Sequence, residues 1–363
     1  MIRKVYLDLI KNNLRENGYA WLCKRSWQYV LIHLSQLFHR PLCGPALGSI
    51  MVTYRCNLHC QMCDMPHKAS LHQQLNENEF TTHQFKEIIH QFAKLGTPGI
   101  GFTGGEPLLR KDIFELLAET RRHGMVANLN TNGLMLDDVA AQKIISTDID
   151  SVNISLDGAT PVTHDRIRRS QGAFVKTVDA ISRLAHYKRK YDSRLRIKTV
   201  TVLNETNIDE IPQILKLGRQ LCADCVEIIP QQFFSDQLLS GQPPSDIHAK
   251  IDALLEYLQH DKTLMDMLEN SPAHLKLFKS SFAALPSPIR CSAGYNSLAV
   301  DCYGNVFPCV PWINRGKISG NIREESLFQL WKSVEYQQQR EETVRCRDCY
   351  LNCQTELNLL FDL

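Results

Sequence analysis

"SIMVTYRCNLHCQMCDMP", Ser49 to Pro66, opens on a short β-rich apolar run and closes on three cysteines, Cys56, Cys60 and Cys63. The run reads as a β-strand, and the cysteines read as the loop leaving its C-terminal end. The same sequence of strand and motif recurs downstream. "GIGFTG" runs into "TGGEP", "MVANLNT" into "NTNG", "SVNISLD" into "SLDG" and "RIKTVTVL" into "LNETN", and "CVEIIPQ" is a sixth strand. Between them lie segments such as "TTHQFKEIIHQFAKLG" and "FVKTVDAISRLAHY", with apolar residues three and four apart, the spacing of amphipathic helices. Six βα alternations imply a parallel sheet with right-handed crossovers. An open doubly wound sheet gathers ligand loops at one switch point, whereas a barrel brings every strand's C-terminal end to one face. Motifs after at least four strands favour the barrel. The expected fold is α/β, a partial (β/α)6 TIM-like barrel over residues 48–235.

Working outward, residues 1–47 read as an N-terminal helical segment, in "RKVYLDLIKNNLRENGY" and "WLCKRSWQYVLIHLSQLFHR", ended by "RPLCGPALG". Their apolar face is expected to pack on the barrel. The alternative is a partner or membrane-surface contact, since the face mixes Arg, Lys and Trp. Residues 236–286 read as a helical linker with breaks at "GQPPSD" and "ALPSPIR". Residues 287–363 read as a separate small domain. It consists of a hairpin, "SLAVDCYGNVFPC", with a Tyr-Gly-Asn turn, a helix, "SLFQLWKSVEYQQQREE", with Ser326 as its cap, and a tail, "CRDCYLNC".

The bulk numbers narrow the class. A chain of 363 residues that is 44% hydrophobic can bury one large core and a smaller one. A net charge of +2 argues against a nucleic-acid surface. No apolar run approaches the roughly 18 residues that span a bilayer, and the N-terminus lacks the pattern of a secretory signal. The chain therefore reads as cytoplasmic, where thirteen cysteines point to metal or redox chemistry rather than disulfides.

A closed structural metal site takes four protein ligands. Three thiols leave one metal position open, where a small molecule can bind. A Cys3His zinc site completed by His59 or His67 is the plainer alternative, but it gives the glycine motifs after the other strands no task.

At these residues the sequence resembles the radical S-adenosylmethionine (SAM) superfamily, whose hallmark is three cysteines in this three-then-two spacing. The resemblance implies that Cys56, Cys60 and Cys63 hold a [4Fe–4S] cluster whose open iron chelates SAM, with Met62 against the adenine. "GGEP" looks like the family's glycine motif. It implies that Gly104 and Gly105 let backbone approach the ligand and that Glu106 accepts from the methionine ammonium. "SLDG" and "HDRIR" resemble the segment contacting ribose and carboxylate, which implies those roles for Ser155 and Arg168, with Asp157 in support. Arg168 is expected to act on SAM affinity with little effect on folding. The chemistry implied is reductive cleavage of SAM to methionine and a 5′-deoxyadenosyl radical that abstracts hydrogen from an unactivated C–H bond.

The tail resembles the SPASM/Twitch extension of radical SAM enzymes, in the shorter, single-cluster variety. This implies a second, auxiliary [4Fe–4S] cluster on Cys291, Cys309, Cys346 and Cys349, with Cys353 as the rival fourth ligand. Cys302, Cys222 and Cys225 read as ordinary structural thiols. Two functions are then open. One is oxidation of a small molecule such as an alcohol or sugar, with the auxiliary cluster accepting the second electron. The other is modification of a peptide or protein. Both need an electron donor such as flavodoxin or ferredoxin. A non-enzymatic electron carrier would have no use for "GGEP" or "SLDG".

Overall fold

The computed structural model describes residues 4–74, 78–231, 246–283 and 285–361. Its strands are β1 (Leu47–Met51), β2 (Gly99–Thr103), β3 (Val126–Thr131), β4 (Ser151–Ser155), β5 (Arg196–Leu203), β6 (Cys225–Pro230), β7 (Ser297–Val300) and β8 (Val306–Phe307). They form one sheet in the order β6-β5-β4-β3-β2-β1-β7-β8. From β6 to β7 every pairing is parallel, and β8 is antiparallel to β7. The first six strands follow one another without a reversal of order, so no switch point exists and the doubly wound alternative is excluded. The sheet does not close, which makes it a partial barrel.

Helices α1 (Lys4–Leu37), α2 (Met65–Gln74), α3 (Thr82–Leu95), α4 (Ile113–Arg122), α5 (Asp138–Ser146), α6 (Pro161–Arg168), α7 (Ala173–Lys190) and α8 (Ile211–Gln220) accompany these strands. The two-residue alternation of each strand sorts its side chains. Ile50, Phe102, Leu129, Val152 and Ile154 are fully buried in the core shared with the helices. Ser49, Gly101, Asn128, Ser151 and Asn153, one residue out of phase, line the barrel's central cavity. Helix α3 shows the local logic. Thr81 and Gln84 form a capping box, Gly96 ends the helix in the left-handed region, and Phe85, Ile88, Ile89 and Phe92 form the buried face.

Three features differ from expectation. The C-terminal hairpin does not stand apart, since β7 adds to the free edge of β1, pairing Leu47 with Ser297 and Ile50 with Val300. An unpaired parallel edge is a liability, and the hairpin covers it. The helix expected over 326–342 is two, Leu327–Lys332 and Val334–Arg345, because Ser333 is extended and caps the second by accepting from the Tyr336 amide at 3.1 Å. Helices α2 and α6 occupy stretches that carry no clear periodicity. The 235/236 boundary and all but the last residue of "GQPPSD" lie outside the described residues.

The barrel's opening is bridged by the C-terminal helix, Asn352–Phe361. Gln354 accepts from Ser297 of β7 at 2.7 Å, and Glu356 accepts from the Ser271 amide at 2.8 Å. Ser271 follows a segment whose Glu269 amide pairs with Val226 of β6. Helix α1, kinked at Gly18, crosses the other end of the barrel. There Gln28 donates to the Gly44 and Pro45 carbonyls, and Arg25 to the Gly96 carbonyl at 2.9 Å. No described helix is long and apolar enough to cross a membrane.

Candidate active site

Beyond β1 the chain stays hydrogen-bonded to β2. The Val52 amide meets the Thr103 carbonyl, the Gly105 amide the Thr53 carbonyl at 2.7 Å and the Glu106 amide the Arg55 carbonyl at 2.8 Å. This approach is what demands glycine. A Cβ at Gly104 would lie 2.4 Å from the Thr53 carbonyl oxygen, and one at Gly105 2.1 Å from that of Arg55. The two glycines therefore serve first to seat the cysteine loop, a reason additional to ligand access. The loop is pinned from three sides. Its Gln61 amide donates to the Ile167 carbonyl in α6 at 2.9 Å. Asn132 after β3 donates to Asn57 at 2.7 Å. Tyr54, buried, donates to Asp301 in the C-terminal hairpin at 2.8 Å.

Cys56, Cys60 and Cys63 share this loop closely enough to interact. Burial and then the neighbouring thiols push Cys63 up to about 11, and burial also raises Cys56. No three Cys, His or carboxylate side chains among the described residues converge as a site for a single metal ion. Three neighbouring thiols on one loop fit a cluster, which needs them as thiolates.

Glu106 is 1% exposed. Its carboxylate accepts from Thr131 and from the Asn132 amide, each at 2.7 Å, and from the Leu108 amide at 3.0 Å. Burial raises its pKa against these bonds. Glu106 thus braces the loop after β3 whatever it does for a ligand. Arg168, at the end of α6, pairs with fully buried Asp157 at 2.5 Å and donates to Cys60 Sγ at 3.6 Å. Burial alone would lower its pKa, but Asp157 and Cys60 outweigh burial and raise it. Its Nε is buried without a hydrogen-bond partner, a spare donor beside the thiol loop. Asp157 also accepts from the Val202 amide, and its own amide donates to His164 Nδ1 at 3.1 Å. Ser155 ends β4, half-buried, and Met62 lies half-buried in the loop.

The second thiol group draws on three segments. Cys291 and Cys309 flank the hairpin, Cys346 and Cys349 follow Val334–Arg345, and Cys353 begins the last helix. A hydrogen bond from the Cys291 thiol and the charge of Arg315 hold Cys346 down at about 6. Burial, then Cys353 and Cys346, push Cys349 up to about 12. Cys309 is raised by burial and by Cys349, Cys346 and Cys353. Five neighbouring thiols, of which Cys291 and Cys309 are buried, fit a cluster of soft ligands. Cys302 lies apart, buried in the hairpin turn with its carbonyl accepting from the Phe80 amide. Cys225 donates to Glu269 at 2.7 Å, while Cys222 is exposed.

A cavity of about 660 Å³ occupies the barrel axis, running from Trp21 and Arg25 of α1 to Thr103, Ile229 and Cys353. Most of its wall is apolar, but one side is an amide ladder in which Asn128 donates to Ser151 and Asn153 donates to Asn130 at 2.9 Å. Beside it, on β5 and β6, lies a buried charge network. Lys198 reaches Glu269 at 2.8 Å and Glu227 at 3.3 Å, and those two carboxylates raise its pKa although burial alone would lower it. Cys353 is accessible through this cavity, and Glu227 helps, after burial, to push it up to about 12. These polar residues were missed in the sequence. Their signal was the polar phase of "MVANLNT", "SVNISLD" and "RIKTV", which in a closed barrel would be apolar filling.

Open parallel strands, a three-thiol loop after the first and a thiol-rich extension together define the class of radical SAM enzymes. Two stretches of the chain match family models of that kind. The Radical SAM superfamily model matches residues 50–218, and an iron–sulfur cluster-binding domain, SPASM, matches residues 291–350. The AdoMet-dependent heme synthase of Methanosarcina barkeri is 27% identical over 312 residues, 80% of this chain and 83% of that protein. Among solved structures, Streptococcus suis SuiB bound to S-adenosylmethionine is similar with a TM-score of 0.62 at 16% identity, covering 88% of this chain and 70% of SuiB. anSMEcpe with AdoMet and the Kp18Cys peptide has a TM-score of 0.61 at 18% identity, covering 88% and 84%. These two likenesses establish the shared fold.

Proposed function

We propose that the protein cleaves SAM reductively and uses the resulting radical to oxidise a small molecule held in the barrel cavity. The observation that carries this reading is the cavity itself. About 660 Å³, with a mostly apolar wall and a few polar groups, suits a compact molecule with an apolar body and a few polar groups. The curated relative, a heme synthase by name, also acts on a small molecule.

A [4Fe–4S] cluster with SAM, held by Cys56, Cys60 and Cys63, would supply a carbon-centred radical. The thiols of Cys291, Cys309, Cys346, Cys349 or Cys353 would hold an auxiliary cluster supplying one-electron acceptance. The chain's own residues do the rest. Arg168 presents its spare Nε to the SAM carboxylate, with Asp157 fixing the guanidinium. Ser155 meets the ribose, Met62 the adenine, and Glu106 offers its remaining lone pairs to the ammonium. The Asn128–Asn153 ladder orients polar groups of the substrate, and the apolar cavity wall limits water around the radical. Glu227, lining the cavity, is placed to take the proton that oxidation releases.

Peptide modification is the second reading, and the peptide-bound forms of SuiB and anSMEcpe keep it open. The test is anaerobic reconstitution with dithionite and SAM. The expected result is 5′-deoxyadenosine from the wild type and none from Cys60→Ala. A wild type that holds iron yet releases none under several reductants overturns the reading. Deuterium transfer into 5′-deoxyadenosine from a small-molecule pool rather than a peptide pool then separates the two substrate classes.

A further inference from the structure

Helix α1 carries two apolar faces, and the barrel uses one. Gln28, Ile32 and Ser35 are buried, Ile32 against Tyr295 and Phe361. On the opposite face Tyr19 is 81% exposed, Trp27 61%, Val30 41% and Leu37 69%, with Phe38 at 56% just beyond the helix. Positions 19, 23, 27, 30, 34 and 37 recur at helical spacing and form a single stripe, about 27 Å long at 1.5 Å per residue. Hydrogen bonds from Arg25, Gln28 and Tyr29 to backbone carbonyls fix the helix to the barrel, so the stripe is held outward rather than free to fold back.

Charge identifies what covers it. Residues 1–40 hold seven Lys and Arg against two Asp and Glu, net +5, in a chain whose total is +2. The remaining residues are therefore net −3. A second copy would set two +5 segments face to face. An anionic bilayer surface attracts the same charge while its acyl boundary takes the aromatic and aliphatic side chains. We propose that α1 docks this protein, lying flat, on anionic membrane surfaces through the stripe from Tyr19 to Leu37. The stripe is too mixed and too firmly attached to the barrel to insert across the bilayer.

The test uses the full-length holoprotein with vesicles of phosphatidylcholine alone and with about 30% phosphatidylglycerol. The expected result is at least roughly tenfold tighter binding to the anionic vesicles, reversed by about 0.5 M salt. Trp27 emission should shift to the blue and be quenched by brominated lipid. The double variant Trp27→Glu/Leu37→Glu should bind at least about tenfold more weakly with an unchanged melting curve, since both side chains are exposed. Equal binding to both vesicle types, or to neither, overturns the proposal. So does a stable dimer in free solution that the double variant converts to monomer, because a second copy would then cover the stripe.

Discussion

Arg168 shows how a residue can be singled out in the sequence while its structural consequence stays illegible. The resemblance of "SLDG" and "HDRIR" to the family segment that contacts ribose and carboxylate implied a carboxylate-binding guanidinium, and little effect on folding was expected from its loss. The structure requires a correction, because Asp157 beneath it is fully buried. Arg168→Ala would strand that carboxylate, which costs about 3–5 kcal/mol. A melting temperature clearly below wild type is expected along with weakened SAM binding. Arg168→Lys should recover much of the stability but less of the affinity, because it loses the planar fork. Calorimetry of SAM binding beside thermal unfolding of both variants separates the two effects. His164 was quoted within the motif yet given no role. Its Nδ1 accepts the Asp157 amide, so the ring is held neutral, and burial with nearby Arg168 lowers its pKa to about 4. The sign follows directly. A base depressed in the folded state contributes stability in full above about 6.5, and that contribution is lost as pH falls toward 4. It amounts to about 3 kcal/mol. Urea midpoints from pH 7 to 4 should fall more steeply for wild type than for His164→Gln, and parallel curves would remove His164 from this role.

At the scale of elements, six strands and the motifs that follow them were readable because each is local. A strand announces itself by its period, and a glycine or cysteine loop by composition. Pairing between β1 and β7 was not readable, since "SLAV" has the same pattern in an isolated hairpin as at a sheet edge. Nor was the part played by the last helix, whose Asn, Gln, Thr and Glu residues look like a solvated face. Gln354 is 2% exposed. It donates to Asn296 at 3.1 Å and Asn358 at 2.7 Å while accepting from Ser297. Gln354→Leu keeps the volume roughly but leaves buried acceptors unmet, for a loss of about 1–3 kcal/mol. Hydrogen exchange in residues 352–361 should speed up before the barrel strands change. Equal protection would mean that the helix is held by packing alone.

For the molecule as a whole, the proposed pair of cubanes amounts to about eight irons per chain, four to each. Replacing Cys56, Cys60 and Cys63 together by Ala should leave about four, with an EPR signal that ignores added SAM. Cys349→Ala against Cys353→Ala in that background identifies the fourth auxiliary ligand. A triple variant that keeps no cluster after reconstitution would show that the second thiol group holds none.

The pairing of β7 with β1 also sets a timetable. β1 begins at Leu47 and β7 at Ser297, so the ribosome must add about 250 residues between them, roughly 12–50 seconds of synthesis. During that interval the nascent sheet grows from β1 toward β6 while one side of β1 has no neighbour. The Tyr54 anchor on Asp301 is missing for as long. A chain stalled before residue 297 therefore presents an open edge able to recruit the β7 of another copy, together with three thiols whose loop is not yet fastened.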